Sequence, residues 1–553
     1  MNILDLGSGH LSRRGLLKGG AIGAAGLAGA ALIGCGSDDD NPGATATSSG
    51  GGGGGTASPT PTPQVSDIKR GGTLLVDSGE PNPNVLNFGF NIRNRPIQHS
   101  VWEQLIGLTE DYQIRPVLAE TFEANADSSA VHIVLRQGVE FHNGRPLTAD
   151  DVAYSIDFFS NAESSGQLKG PLSQGISEVK VADNRTLDII FNGPRPALAD
   201  MFCLTRIVDR DTARNIPDMK DLVGTGPFKF TSYTPDVGYR LEANENYWQE
   251  GLPYLDAIEG KPYADVAARE LAIRSGELHW ADGMSYARVA ALRSDANVKA
   301  VTRGKAGMNY LGLVVNKAPF DDVRVRRAAS LAIDRQRLSD EFAEGVVAGT
   351  TLPWPPESPA YHADQDFPAG VAYDPDTAAA LIEEAGAAGT QITIQAGAGD
   401  QEAATLGQYL QDDLNAVGLP TELVILEASV AVEQIRDRTV QSNAWLAVHG
   451  FANYAHPGSM VNAAQQYTVP NPSHFEDTDY EQLLDRMQSA ALGSSELAEM
   501  VTEFNQRLTW DNAWILGLVS SEQYRVMHAS LKGDEGGNLS VAKGAFSEWW
   551  LDA

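Results

Sequence analysis

The hydrophobic pattern changes period along the chain, and the changes mark out elements. Val131, Ile133 and Leu135 alternate with polar neighbours, as one face of a half-buried strand does. Thr73-Leu74-Leu75-Val76 is a short apolar strand behind a glycine pair. After Asp374 the period lengthens. Ala378, Leu381, Ile382 and Ala385 fall at i, i+3, i+4 and i+7, the stripe of an amphipathic helix. Asp374 can cap that helix, Pro375 suits its first turn and Gly386 its stop. The stretch from Asp322 to Leu338 behaves alike, with Val325, Ala328, Ala329, Ala332 and Ile333 on one side. Between 391 and 448 strands at 392–395, 422–426 and 444–448 alternate with helices at 401–416, ended by Gly418, and 429–438. This alternation predicts a parallel sheet with helices on its faces. Ligands of such sheets lie outside the carboxyl ends of the strands. The loop after the last strand, from His449 to Pro457, is therefore the first candidate for a site.

The N-terminus follows a different pattern. Ser12-Arg13-Arg14-Gly15-Leu16-Leu17-Lys18 precedes an apolar, Gly- and Ala-rich stretch that ends at Gly34. A membrane span takes about 20 apolar residues, and this stretch is shorter. It reads as the apolar region of a signal peptide covering 1–34, with paired arginines resembling a twin-arginine signal. Leu32-Ile33-Gly34-Cys35 resembles a lipoprotein box, which implies cleavage before Cys35 and lipid on its thiol. Residues 35–70 are rich in Gly, Ser, Thr and Pro and include the run Gly50 to Gly55, so they read as a flexible tether. The expected location is extracytoplasmic, held to the membrane through a lipid anchor.

The chain has 553 residues, and single cores stop growing at about 250–300 residues, so several units are expected. Its formal net charge of −31 makes it a poor candidate for a phosphate-backbone binder, and no nucleic-acid partner is expected. The two cysteines exclude a disulfide scaffold and a four-cysteine zinc site; Cys203 has no partner once Cys35 is lipidated. There is no GxxxxGK[ST], HExxH or CxxC, and Gly397-Ala398-Gly399 has Glu402 where a third glycine of GxGxxG belongs. The carboxylates are too numerous for any acid/base pair to stand out. Nothing assigns catalysis, so a non-enzymatic role without a cofactor is expected.

Five stretches, in order, resemble the family-5 extracellular solute-binding proteins of ABC importers. They are Arg115-Pro116-Val117-Leu118 through Gly138-Val139-Glu140-Phe141-His142-Asn143-Gly144 to Leu147-Thr148-Ala149-Asp150-Asp151-Val152; Gly224-Thr225-Gly226-Pro227-Phe228 with Glu245-Asn246-Tyr247-Trp248; Ala267-Ala268-Arg269 with Ser275-Gly276-Glu277-Leu278; Pro319-Phe320-Asp321-Asp322-Val323-Arg324-Val325-Arg326-Arg327-Ala328 to Ala332-Ile333-Asp334-Arg335; and the helix from Tyr373 to Gly386. The resemblance implies an α/β fold of the periplasmic-binding-protein-like type II, with two lobes around a hinge. Lobe I would be 71–95, 221–313 and 521–553, with a subdomain inserted at 96–220, and lobe II would be 314–520. Most signature residues read as architectural. Gly226-Pro227 is a turn, Asp150 and Asp151 favour a helix start, and Arg324, Arg326 and Arg327 are solvated or paired with Asp321 and Asp322.

The same resemblance implies a receptor that captures a peptide, an oligosaccharide or a similar polar solute and presents it to ABC permease subunits, acting as a monomer. In peptide-binding members a loop shaped like 449–457 supplies an aspartate for the ligand ammonium. The matching position here is Asn453, whose amide accepts a hydrogen bond but cannot neutralise a cation. Trp445, Phe451, Tyr454 and, in a Pro-rich stretch, Trp354 offer flat aromatic surfaces for uncharged solutes; for Trp445 a plain core position is equally open. Asn87, Phe88, Tyr310, His449 and Gly450 complete the expected ligand contacts. His449 with His456 is a weak metal signal, and no metal is assigned. Trp549 and Trp550 read as packing residues.

Overall fold

The computed structural model describes residues 68–77, 95–109, 113–161, 175–263, 265–354, 356, 358–366, 371–398, 401–450, 456–536 and 545–552. The signal, Cys35 and nearly all of the tether lie outside the described residues. In chain order the strands are β1 (Thr73–Asp77), β2 (Ile106–Leu108), β3 (Ile114–Pro116), β4 (Ala119–Ala124), β5 (Ala130–Leu135), β6 (Ile176–Val181), β7 (Thr186–Phe191), β8 (Phe228–Thr234), β9 (Gly238–Ala243), β10 (Ala257–Lys261), β11 (Trp280–Met284), β12 (Val298–Leu313), β13 (Ile392–Gly397), β14 (Thr421–Leu426), β15 (Ala444–Gly450) and β16 (Ile515–His528), followed by the short pair β17 (Leu531–Lys532) and β18 (Trp550–Leu551).

Ten strands form one sheet in the order β14-β13-β15-β12-β16-β11-β1-β10-β9-β8. At one end β13 runs parallel to β14 and β15, and near the other β1 runs parallel to β10 and β11. The two ends are joined by β12 and β16, antiparallel strands of 16 and 14 residues. The first part of β12, from Val298 to Thr302, pairs with His528 to Tyr524 of β16. Its second part, from Met308 to Gly312, lies between β15 and the stretch Ser520 to Ile515 of β16. The register shifts between Thr302 and Met308, where bulges interrupt the ladder. Bulges bend and twist a strand, so the ladder is locally distorted between its two halves.

A separate antiparallel sheet, β4-β5-β7-β6, has its own core. Val131, Ile133 and Leu135 of β5 meet Leu187 and Ile189 of β7 under Val152 and Ile156 of the helix Ala149–Asn161. Each such fully buried side chain stabilises by about 1.5–3 kcal/mol. The C-terminus returns to the first lobe, where Trp549 packs on Trp280 and Phe546 with ring centroids 6.5 and 4.3 Å away. Trp550 is also buried.

The expected βαβαβ unit is present, with helices Gln401–Ala416 and Ala428–Arg436 between parallel strands. The helix Pro375–Glu384 is capped by Asp374, whose side chain accepts from the Thr377 amide, and it buries Ala378 and Ile382. The stretch from Asp322 departs from expectation. Its helix is only Val323–Ala332, and Asp334 recaps a short turn, Arg335–Arg337. Arg335 is drawn inward there, donating to the carbonyls of Gly517 and Ser330. The expectation for the three arginines holds only for Arg324, which pairs with Asp322 at 2.6 Å and Glu384 at 3.3 Å. Arg326 is buried and donates to the carbonyls of Asn512 and Phe320, and Arg327 donates to the Trp510 carbonyl. These two arginines stitch loops together because a guanidinium can satisfy several carbonyls at once.

Candidate functional site

The carboxyl ends of β1, β13 and β15 lead into segments outside the described residues, 78–94 after β1, 399–400 after β13 and 451–455 after β15, whereas β11 runs into the described helix Tyr286–Leu292. Asn87 and Phe88 fall in the first of these, and Phe451, Asn453 and Tyr454 in the last. His449 and Gly450 end β15, where their backbones pair with Met308 and Gly307 of β12.

Beside the end of β1 lies a network of paired, largely buried charges. Asp77, the last residue of β1, pairs with Arg269 at 2.6 Å. Arg269 also donates to the Asp282 carbonyl at 3.4 Å. Asp282 on β11 sits directly across from Arg525 on β16. Arg95, which opens the helix Arg95–Val101, reaches Asp282 at 3.4 Å, and Arg525 pairs with Asp534 at 2.6 Å. Burial pushes the Asp282 carboxyl up to about 6, against the downward pull of Arg95 and Arg525. One turn along the helix, burial and then the cations Arg206, Arg95 and Arg525 hold His99 well below its usual range, so it is neutral. Arg95, Asp282 and Arg525 were not foreseen. In sequence Arg525 is one charged residue in a strand, and alternation does not tell which face is covered.

Next to this network a cavity of about 60 Å³ is lined by His99, Glu103, Arg115, Arg206 and Tyr247 among others. That is room for a few waters and too small for a solute pocket of about 300 Å³ or more. Glu103 serves the interior: it accepts from Thr225, Tyr247 and Trp248 at 2.8–2.9 Å. Burial raises its pKa while these donors oppose the shift.

On the second lobe the expected aromatic contacts are corrected. Tyr310, Trp354 and Trp445 are 3%, 3% and 0% exposed and belong to one hydrophobic cluster. Trp445 meets Tyr310 edge-on at 5.2 Å and lies over Gly312, where a Cβ would come within 2.3 Å of the indole. The Trp354 indole N–H donates to Asn505 at 2.6 Å. With their faces taken by protein, these three present no stacking surface. His456 is equally committed. Its Nδ1 accepts from the Gly458 amide and its Nε2 donates to the Ala490 carbonyl, which caps the helix Pro457–Ala463. Among the described residues no group of three His, Cys, Asp or Glu side chains could hold a metal ion.

Beyond the strand ladders, several hydrogen bonds join distant parts of the chain, among them Tyr286 Oη to the Ser520 carbonyl and Tyr524 Oη to the Val346 carbonyl, both at 3.4 Å. The Tyr286 amide donates to Glu402 at 3.0 Å, inside a core shared by both lobes. The His456 amide donates to Asp200 at 2.9 Å, across 256 positions of sequence. Asp200 was also unforeseen.

The model for bacterial extracellular solute-binding proteins, family 5, matches residues 113–468. The glutathione-binding protein GsiB of Salmonella typhi is 26% identical over 440 residues, covering 76% of this chain and 84% of its own. GsiB of Escherichia coli O157:H7 is 25% identical over 438 residues with the same coverage. Among solved structures, the oligopeptide-binding protein AppA of Bacillus subtilis, in complex with a nonapeptide, has a TM-score of 0.72 at 21% identity and covers 88% of this chain and 100% of its own. NikZ of Campylobacter jejuni, in complex with Ni(L-His), has a TM-score of 0.70 at 17% identity, covering 86% and 99%. The fold is thus the two-lobed α/β fold of periplasmic binding proteins, type II, and the chain belongs to the family 5 bacterial extracellular solute-binding proteins.

Proposed function

We infer that this protein captures a short peptide or peptide-like solute between its lobes, outside the cytoplasmic membrane, and hands it to an ABC permease. The reading is carried by one observation: relatives aligned over 76% of this chain are named glutathione-binding proteins. The role is binding and lobe closure, without chemistry, and closure draws its free energy from the solute's better fit to the closed state.

In this reading lobe I is 71–95, 221–313 and 521–553 with 96–220 inserted, and lobe II is 314–520, the division that the resemblance implies. Charges in the network beside β1 are already paired, so they contribute shape and dipoles more than net charge. Solute contacts are assigned to Asn87, Phe88, His449, Gly450, Phe451, Asn453 and Tyr454. Cys35 carries lipid and residues up to 70 form the tether that keeps the receptor near its permease. The receptor works as a monomer.

The test is a panel of reduced glutathione, di- to tetrapeptides, oligosaccharides and a nickel–histidine chelate. A peptide-class solute should raise the melting temperature and compact the protein in solution scattering. If only sugars or chelates do so, the peptide assignment is wrong; if none does, solute capture itself is. Asn453→Asp should tighten peptide binding about tenfold by restoring a charge-assisted hydrogen bond to the ammonium. Unchanged affinity, read by calorimetry, would remove Asn453 from the site.

A further inference from the structure

We propose that Asp200 is a positioning residue for solute capture: its carboxylate latches the inserted subdomain onto the second lobe at the His456 amide. The inference rests on the reading of the chain as a two-lobed solute trap and names the contact that sets how long the trap stays shut.

The contact is buried from both sides. Asp200 is 2% and His456 1% exposed, and the hydrogen bond is 2.9 Å long. Each partner is held rigidly by its own lobe. Asp200 lies in the short helix Leu198–Phe202. Phe202 anchors that helix in the subdomain core, edge-on to Phe122 at 5.5 Å. The Cys203 thiol donates to the Asp200 carbonyl at 3.4 Å. On the other side the His456 ring is used up by the Gly458 amide at 3.0 Å and the Ala490 carbonyl at 2.8 Å. Gly458 fits because a Cβ there would stand 2.6 Å from Gln488 and Met487 of the neighbouring helix Thr478–Ser489. The ring caps the helix, so the backbone N–H of His456 is left to serve the other lobe.

Nothing in either lobe's own folding depends on this bond. The cap at His456 is complete without Asp200, and Phe202 stays packed without His456. The hydrophobic clusters on the two sides are separate. The Tyr286–Glu402 bond differs, because Tyr286 belongs to a hydrophobic cluster that draws side chains from both parts of the chain. His456 also directly follows 451–455, the loop assigned to solute contact. Closing the latch removes water from a carboxylate, which is costly, and returns a charge-assisted hydrogen bond. The two effects oppose each other, so the latch is weak alone and is decided by the solute's better fit to the closed state.

The experiment uses the full chain as wild type, Asp200→Ala and Asp200→Asn. Hydrogen exchange is followed at the His456 and Gly458 amides, and release of reduced glutathione and of the tetrapeptide Ser-Thr-Ser-Ala is timed by stopped flow. In Asp200→Ala the His456 amide should exchange at least about tenfold faster, with Gly458 unchanged. Release should quicken about tenfold and association should change little. Asp200→Asn keeps an acceptor and should fall between the two; it also decides the matter if the alanine variant does not fold. Wild-type exchange at His456 in a folded variant overturns the latch, as does unchanged release of a probe that wild type binds. If wild type binds neither probe, the peptide-trap reading fails on its own, while the His456 exchange still confirms or overturns the contact.

Discussion

Two pairs of polar residues face one another across neighbouring strands, one pair in each lobe, and their surroundings are opposite. In the first lobe Asp282 on β11 stands across from Arg525 on β16, with Arg95 and Asp534 beside them. In the second lobe Gln395 on β13 stands beside Trp445 on β15. Gln395 is 1% exposed, and among the described residues neither end of its amide has a hydrogen-bond partner, nor does the Trp445 indole N–H or the side-chain amide oxygen of Gln434 on the covering helix. The difference teaches how each lobe is stabilised. A buried charge must be paired or it neutralises, so the first lobe carries a network that ties β11, β16 and the start of the first helix together. A neutral amide can be left dry at a cost of about 1–3 kcal/mol, and the second lobe carries that cost within an aromatic core.

The most damaging way to test the comparison is to break the charged pair. Arg525→Ala strands Asp534 in the interior and should cost about 3–5 kcal/mol in denaturant unfolding. Arg525→Met with Asp534→Leu should recover most of that loss, since an apolar pair of similar volume often equals a buried ion pair. Failure of the double variant to recover would mean the pair does more than satisfy itself.

A smaller effect is expected from pH. Burial raises the Asp282 carboxyl to about 6, whereas an unfolded aspartate titrates near 4. Between these values the folded protein keeps a proton that the unfolded chain has lost. The contribution of Asp282 is therefore complete below about pH 4 and is lost as pH rises to about 6. His142 and His279, lowered to about 4 mainly by burial, act in the opposite sense: their contribution is present above about 6.5 and is lost as pH falls. Asp282→Asn removes one side of this opposition. Its stability should climb more steeply from pH 4 to 6 than that of wild type, by about 2 kcal/mol across the interval. Parallel stability curves for the two proteins would show that Asp282 does not titrate in this range.

Much of the fold was legible because local patterns and burial agreed. The β5 alternation, the Asp374 cap and the parallel unit from 392 to 450 all rest on contacts within a few residues or on uniform hydrophobic faces. What was missed depends on long-range packing. The position of Trp445 on β15 permits either face, and only the packing of Tyr310 and Gly312 beneath it makes it core. β12 and β16 change partners midway; Gly304 and Gly307 are local signals for the bulges between Thr302 and Met308, but the change of partners is not written in the local sequence. Arg326 has the same neighbours in sequence as a solvated arginine, yet the Asn512 carbonyl lies 186 positions away. Asp200 and His456 meet across 256 positions of sequence, which no local pattern foretells.

The smallest prediction bears on the uncharged pair. Gln395 and leucine have similar volumes, and the neighbouring atoms on this face include Trp445 and the helix Ala428–Arg436, whose Ala431 would stand 3.8 Å from a Cβ added at Gly397. If the amide is dry and unpaired, Gln395→Leu removes a desolvation cost without opening a cavity. It should stabilise the protein by about 1 kcal/mol in denaturant unfolding, the reverse of what most core substitutions do. The same substitution made at a paired polar group, such as Asn505→Leu beneath Trp354, should destabilise, because it leaves the indole N–H without its acceptor. A loss in both variants would mean that Gln395 finds a partner in solution. The contrast between the lobes would then be one of packing alone.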